Sequence, residues 1–240
     1  MAKPQPKSSS VQNINKTPIV AVLLAGAFVA ILNQTLLNTA IPKIMSDLDI
    51  SAATAQWLTT VFMLTNGVMI PITAFLIERF STRKLFLTAM SLFAAGTLIA
   101  AMAPSFPYLL TARIVQASGA GIMLPLMQTV FLTIFPREKR GAAMGMVGLV
   151  IAFAPAIGPT LSGWLVQNYS WRVLFYVILP IAIIDIFLAY FVMKNVTKLT
   201  YPKVDIFSII LSSFGFGGLL YGFSSAGQSG WDSTKVLISL

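Results

Sequence analysis

Along this 240-residue chain, long apolar runs alternate with short clusters of charge. No charged side chain falls between Lys16 and Lys43 or between Asp49 and Glu78, and residues 85–112, 141–171 and 206–231 are equally free of charge. An α-helix rises about 1.5 Å per residue, so about 20 apolar residues cross a hydrocarbon layer about 30 Å thick. The runs reach that length, and the longer ones leave room for a tight turn or a helix end. The pattern predicts seven helices, over 18–41, 56–77, 85–103, 108–133, 142–166, 173–193 and 206–226, and the start of an eighth before Leu240. Proline lacks the N–H that a helix interior needs. Pro42 is accordingly expected to end the first helix, Pro104 and Pro107 to bracket the third-to-fourth loop, and Pro136 to follow the fourth.

Composition turns a helical pattern into a membrane one. Only 10% of the residues are charged, 57% are hydrophobic, and the mean hydropathy is +0.84. A soluble domain carries about a quarter charged residues, so this chain has too little polar surface to face water. Residues 1–17 are polar and basic, and read as a disordered cytoplasmic tail. The apolar run that follows is too long for a signal peptide and lacks a small-residue cleavage pattern, which makes it an uncleaved first span. Alternate loops are unequal in charge. One side carries Lys3, Lys7, Lys16, Arg79, Arg83, Lys84, Arg137, Lys139, Arg140, Lys194, Lys198 and Lys203; the other carries Lys43, Arg172 and Lys235. The positive-inside rule then predicts a cytoplasmic N-terminus in a multi-pass protein of the cell membrane. The net charge of +9 is spread over separate loops, which argues against a nucleic-acid partner. No cysteine and no histidine are present, so disulfides, thiolate metal sites and the commonest zinc ligand are excluded. The chain stops about one turn into the eighth helix, as expected of a fragment.

Candidate chemistry lies in the few polar residues inside the spans. In LNQTLLNTAIP (32–42), Gln34 with Asn38 and Thr35 with Thr39 are i,i+4 neighbours and form a polar stripe. The stripe faces either a neighbouring helix, as hydrogen-bonding glue, or a substrate. FLIERFSTRKLF (75–86) places Glu78 among Arg79, Arg83 and Lys84. The acid does nothing for orientation, and a gate of paired charges is expected. Arg113 lies within the fourth span with Gln116 on the same face. A lone charge there costs roughly 2.5–3.5 kcal/mol on insertion scales, so Arg113 either snorkels or serves a function. Gly141, Gly145, Gly148, Ala152 and Ala156 of the fifth span read as a close-packing face, and Gly158–Pro159 as a kink. Asp185 stands thirteen residues from Arg172 and nine from Lys194, near mid-membrane. It is a candidate proton carrier, or a partner for a cation such as Arg113. Asp205 and Asp232 read as interfacial. No nucleotide-binding loop, metal cluster or nucleophile–base set occurs, so neither an enzyme nor an ATP-driven pump is expected.

Several stretches resemble the 14-helix drug:proton antiporters of the major facilitator superfamily, in particular the lincomycin-resistance type of multidrug exporter. They are ARIVQASGAG (112–121), AxxxGPxxSG (Ala154–Gly163), WRVLFYVILP (171–180), FPREKRGAAMG (135–145) and the AGQSGW stretch ending at Trp231. The resemblance runs nearly end to end. It implies an all-α membrane fold: a six-helix N-terminal transporter bundle (18–193), a cytoplasmic loop (194–205), and linker helix 7 with the start of helix 8 (206–240). It also implies a C-terminal bundle that this chain lacks. Arg113 would be the helix-4 arginine of proton coupling, and Gly158, Pro159 and Gly163 the helix-5 antiporter motif. Glu78, Arg79, Arg83 and Lys84 would belong to the gating loop, although Glu78, Ala74 and Ser81 stand where relatives have Asp and two glycines. Asn33 replaces the acid that opens the helix-1 motif, which makes Asp185 the more attractive carrier. Asn33, Gln34, Asn38 and Gln116 are substrate-cavity candidates. The function implied is export of lipophilic drugs driven by the proton gradient, with no cofactor and no metal; an uptake symporter of the same fold and a non-transporting membrane fragment are the alternatives.

Overall fold

The structure, a computed structural model, describes residues 16–197, 199–200 and 206–239. Most of the polar tail, with Lys198, Lys203 and Asp205, lies outside the described residues. The helices are α1 (Lys16–Leu48), α2 (Ala52–Arg79), α3 (Thr82–Ala101), α4 (Phe106–Ile134), α5 (Arg140–Asn168), α6 (Val173–Val192), α7 (Ile206–Ser229) and α8 (Thr234–Ser239), with a short 3-10 turn at Arg137–Lys139 before α5. Six of the described helices are long and apolar enough to cross a membrane.

Local chemistry explains the boundaries. Ser51 caps α2 by accepting from the Thr54 N–H at 3.2 Å, and Ser81 caps α3 by accepting from the Lys84 N–H at 3.4 Å. Pro107 sits in the first turn of α4, where its missing N–H costs nothing. Pro42 does not end α1, contrary to the sequence expectation: the helix continues to Leu48. The extension is held by packing and polar contacts that outweigh the proline. Ile44 is fully buried, and Asp47 accepts from Trp171 Nε1 and from Arg172, both at 2.8 Å. Asp49, at φ 49°, then turns the chain through the left-handed conformation that Asp tolerates.

The core forms where α3 lies along α4, α2 along α4, and α1 along both α5 and α6, while α3 also meets α6. Small residues set the approach of these helices. A methyl added at Gly96 would stand 2.5 Å from the Gln116 backbone nitrogen and 2.8 Å from the Ala112 carbonyl, so α3 and α4 touch backbone to backbone there. At Gly158 an added methyl would stand 2.7 Å from Thr35 Oγ1, and Ser162 Oγ donates to the Leu36 carbonyl at 2.8 Å, which seats α5 on α1. Large apolar side chains such as Phe187, Phe191 and Phe214 point outward. That is the inverse of a water-soluble bundle.

The face of α5 that carries Gly141, Gly145, Gly148, Ala152 and Ala156 corrects the sequence reading. It is exposed, and among the described residues a methyl at any of the three glycines would meet nothing within 4 Å. Helix α5 packs instead through Ala143, Val147, Ala154, Gly158, Ser162 and Leu165. It stays one helix through Pro155 and Pro159, both exposed. Helix α7 lies along α2, where Thr60 and Ser224 share a hydrogen bond of 3.0 Å.

The two ends of the bundle are fastened differently. At the Lys-rich end, Lys16 Nζ donates to the Ile134 carbonyl at the C-terminus of α4 (2.6 Å), and Asn195 Oδ1 accepts from the Thr82 N–H (3.0 Å). At the other end Arg172 pairs with Asp47 at 2.8 Å and donates to the Ala103 carbonyl at 2.9 Å. Trp171 is buried beside it.

Candidate functional site

A cavity of about 630 Å³ opens between α1, α2 and α4, with Leu220 of α7 at its edge. Its wall is mainly apolar, from Ala27, Ala30, Phe62, Met63, Ile70 and Met123 among others. Three amides supply its strongest hydrogen-bonding groups, Gln34 from α1, Asn66 from α2 and Gln128 from α4, and among the described residues no charged side chain lines it. Its size is that of a small-molecule site. Methionine adapts to different shapes.

Of the expected cavity residues, Gln34 lines this space and the other three do not. Asn33 is buried at 2% exposure, and its Nδ2 has no hydrogen-bond partner. Asn38 is exposed, and its Oδ1 accepts from Thr59 Oγ1 at 3.1 Å, a tie between α1 and α2. Thr35 and Thr39 spend their hydroxyls on carbonyls of their own helix. The polar stripe of α1 is thus split between cavity, glue and helix backbone. The sequence reading passed over Asn66 and Gln128. A signal existed for Gln128, because Gly121, Pro125 and Gln128 recur at i, i+4 and i+7 on one face. Asn66 is a lone amide in an apolar run and could have been found by the test that singled out Arg113 and Asp185, a polar residue inside a span.

Gln116 belongs to a buried network behind the cavity. Arg113 is fully buried, with its guanidinium 4.0 Å from the centre of the Phe62 ring. Its Nε donates to the Leu58 carbonyl at 3.3 Å and its NH1 to Gln116 Oε1 at 2.9 Å, while NH2 has no partner. Gln116 Nε2 in turn donates to Thr97 Oγ1 at 2.9 Å, and that hydroxyl donates to the Phe93 carbonyl at 2.7 Å. Arg113 therefore does not snorkel to an interface. Phe62 ties this network to the cavity, because its ring both lines the wall and receives the guanidinium.

Asp185 is buried on α6, and among the described residues neither of its oxygens has a hydrogen-bond partner. The expected pairing with Arg113 is not formed. Arg113 spends its donors on Leu58 and Gln116, and the ion pair among the described residues is Arg172–Asp47.

The loop between α2 and α3 also differs from expectation. Among the described residues Glu78 pairs with no cation: its carboxylate accepts from Thr200 Oγ1 at 3.2 Å, and its carbonyl from the Thr200 N–H at 3.1 Å. Arg79 lies over the Phe75 ring and Arg83 over the Tyr190 ring, with guanidinium-to-centre distances of 5.9 and 4.7 Å. Lys84 offers its backbone N–H to Ser81. Among the described residues, a threonine clasp and two cation–ring contacts stand where a cluster of paired charges was expected. In the helix-5 motif, Gly158 meets Thr35, Pro159 is exposed, and Gly163 has open space beside it.

Comparison with known proteins gives this geometry a family. The sequence profile of the Major Facilitator Superfamily matches residues 23–234. The chain is 71% identical over 226 residues to the uncharacterized MFS-type transporter YcnB of Bacillus subtilis (strain 168), covering 94% of this chain and 48% of that protein. It is 49% identical to the lincomycin resistance protein LmrB of Listeria monocytogenes, covering 98% and 50%, and 30% identical to the multidrug export protein EmrB of Haemophilus influenzae, covering 92% and 44%. The chain spans about half the length of these curated relatives. Among solved structures, the human organic anion transporter MFSD10 shares the fold at a TM-score of 0.71 and 14% identity, over 93% of this chain and 59% of that one. A D-xylose-proton symporter does so at 0.62 and 16%, over 75% and 49%. The chain belongs to the Major Facilitator Superfamily, a family of membrane transporters, and is a multi-pass membrane protein.

Proposed function

We propose that this chain is the N-terminal half of a proton-coupled multidrug exporter, with its N-terminus in the cytoplasm. The observation that carries the proposal is the cavity: about 630 Å³, faced with alanine, methionine and phenylalanine, and offering the amides of Gln34, Asn66 and Gln128. Such a wall receives lipophilic molecules of varied shape, holding them through apolar contact and through amides that can donate or accept. The names of two relatives, a lincomycin resistance protein and a multidrug export protein, support this reading. The excess of Lys and Arg on one side supports the orientation. One wall is half a site: in transporters of this kind the substrate lies between two bundles that rock about it, and a second bundle would supply the facing wall.

Energy would come from protons moving inward as drug moves outward. Arg113 would be the coupling cation, since it stands behind Phe62, one ring away from the cavity. The test is resistance in a drug-sensitive bacterium. The chain completed by a C-terminal bundle raises the inhibitory concentration of lipophilic drugs several-fold, and a protonophore removes the effect; the 240-residue chain alone changes nothing. Accumulation of drug inside inverted vesicles then distinguishes export from uptake. Resistance that survives collapse of the proton gradient, or drug movement in the opposite direction, would overturn the proposal.

A further inference from the structure

We propose that Asp185 is a proton-binding site set behind α1, apart from the cavity, and that α1 carries its state to the cavity wall. It deepens the exporter reading by giving the proton a place in this chain, but its tests do not require transport. Asp185 is 3% exposed, and among the described residues no group donates to either carboxyl oxygen. One oxygen lies against the backbone of α1: a methyl added at Gly26 would stand 3.0 Å from Asp185 Oδ2 and 3.0 Å from Phe86 Cζ. The carboxyl thus occupies the seam where α6 meets α1 and α3, beside the Phe86 ring. Neither Gly26 nor Phe86 belongs to the cavity lining.

Among the described residues no counter-charge reaches this seam. The charged residues of the helices packed against α6 are Lys16, Lys43 and Asp47 on α1, Arg83 and Lys84 on α3 and Arg140 on α5, all near helix ends. Asp47 is engaged by Arg172, and Arg83 lies over Tyr190. The other ionisable groups of α6 are the phenols of Tyr176 and Tyr190, and among the described residues none of these groups bonds to Asp185. A carboxylate stripped of water, donors and counter-charge is strongly disfavoured, whereas a protonated carboxyl carries no net charge into the same place. The seam as folded suits the neutral acid.

Loading adds one proton from water to a carboxylate oxygen, and release returns it; no other bond changes. Release leaves a carboxylate that needs donors, and with only hydrogen at Gly26 the route by which water can reach it is a parting of α6 from α1. Helix α1 is also a cavity wall. Ala27 follows Gly26 directly, and Ala30 and Gln34 lie at i+3 and i+7 from Ala27, all three in the lining. Movement of α1 off Asp185 therefore shifts three lining residues together, and filling of the cavity bears on the seam in return.

Two measurements on the full chain in lipid vesicles test this. First, the infrared spectrum of the wild type contains the carbonyl stretch of a protonated carboxylic acid that is absent from Asp185→Asn, shifts in frequency in Asp185→Glu, and disappears as pH is raised. Spectra of wild type and Asp185→Asn that superpose at every pH would overturn the proposal; should Asp185→Asn fail to fold, an unshifted band in Asp185→Glu would do the same. Second, the protein contains no cysteine, so Gln34→Cys gives a single thiol in the cavity. Its maleimide labelling rate changes with pH several-fold beyond the thiol's own ionisation when Asp185 is present, and follows thiol ionisation alone in the Asp185→Asn background. Identical pH profiles in the two backgrounds would show that α1 does not connect the seam to the cavity.

Discussion

The molecule buries an arginine and an aspartate within one bundle and treats them in opposite ways. Arg113 is surrounded by partners: a backbone carbonyl, a glutamine that is itself held by a threonine, and the face of a phenylalanine. Asp185 has no hydrogen-bond partner among the described residues. The difference follows from chemistry. A guanidinium cannot shed its proton in a protein, so its burial is tolerable only if the fold supplies acceptors. A carboxyl can be made neutral by taking up a proton, and its site can remain bare. The α2–α3–α4 seam is built around a fixed charge, and the α1–α3–α6 seam fits one that can be switched.

Substitutions can break that contrast. Arg113→Ala should have the largest effect. It empties a large buried volume and leaves Gln116 Oε1 without its donor, costing about 3 kcal/mol in unfolding free energy. Membrane insertion should be unimpaired, because an intramembrane charge is removed, while efflux by the completed transporter falls to background. Arg113→Lys should not restore efflux, since an ammonium lacks the planar fork that reaches Leu58 and Gln116 together. Gly96→Ala comes next. The new methyl would press on the backbone of α4 beside Gln116, which cannot move aside as a side chain can, at a cost of about 1–3 kcal/mol read from the unfolding midpoint in detergent.

The Asp185 seam should respond less. At Gly26 an added methyl meets the ends of two side chains, Asp185 and Phe86, and Gly26→Ala should cost about 1 kcal/mol. Asp185→Asn should be the mildest, because a neutral amide of the same shape replaces the acid and no hydrogen bond of the carboxyl is lost. A large destabilisation by Asp185→Asn would mean that the carboxyl holds the seam together and would remove the contrast.

The sequence announced much of this and missed the rest for identifiable reasons. Apolar run lengths located the helices to within a few residues, because the bilayer imposes a minimum span; the exception was Pro42, where contacts made by Ile44 and Asp47 keep the helix going. Arg113, Gln116 and Asp185 stood out as polar residues in apolar runs, and all three are buried. Their partners did not stand out. Leu58 contributes a backbone carbonyl and Phe62 a ring face, and neither leaves a mark in a hydropathy pattern. The stripe of α1 misled because helical periodicity gives the facing direction without the neighbour, so Gln34 and Asn38 were grouped although one lines the cavity and the other binds Thr59. The glycines of α5 misled for the same reason: small size permits close approach and does not name the helix that approaches.

Drug-induced proton release by the completed transporter in vesicles, compared between wild type and Asp185→Asn across pH, tests the central claim that this chain holds the switchable proton of an exporter. Wild type is predicted to release protons on drug binding, and Asp185→Asn to bind drug while releasing fewer protons and losing the wild-type pH profile. Equal proton release per bound drug, with the same pH profile in both proteins, would contradict the account and place the proton on another residue.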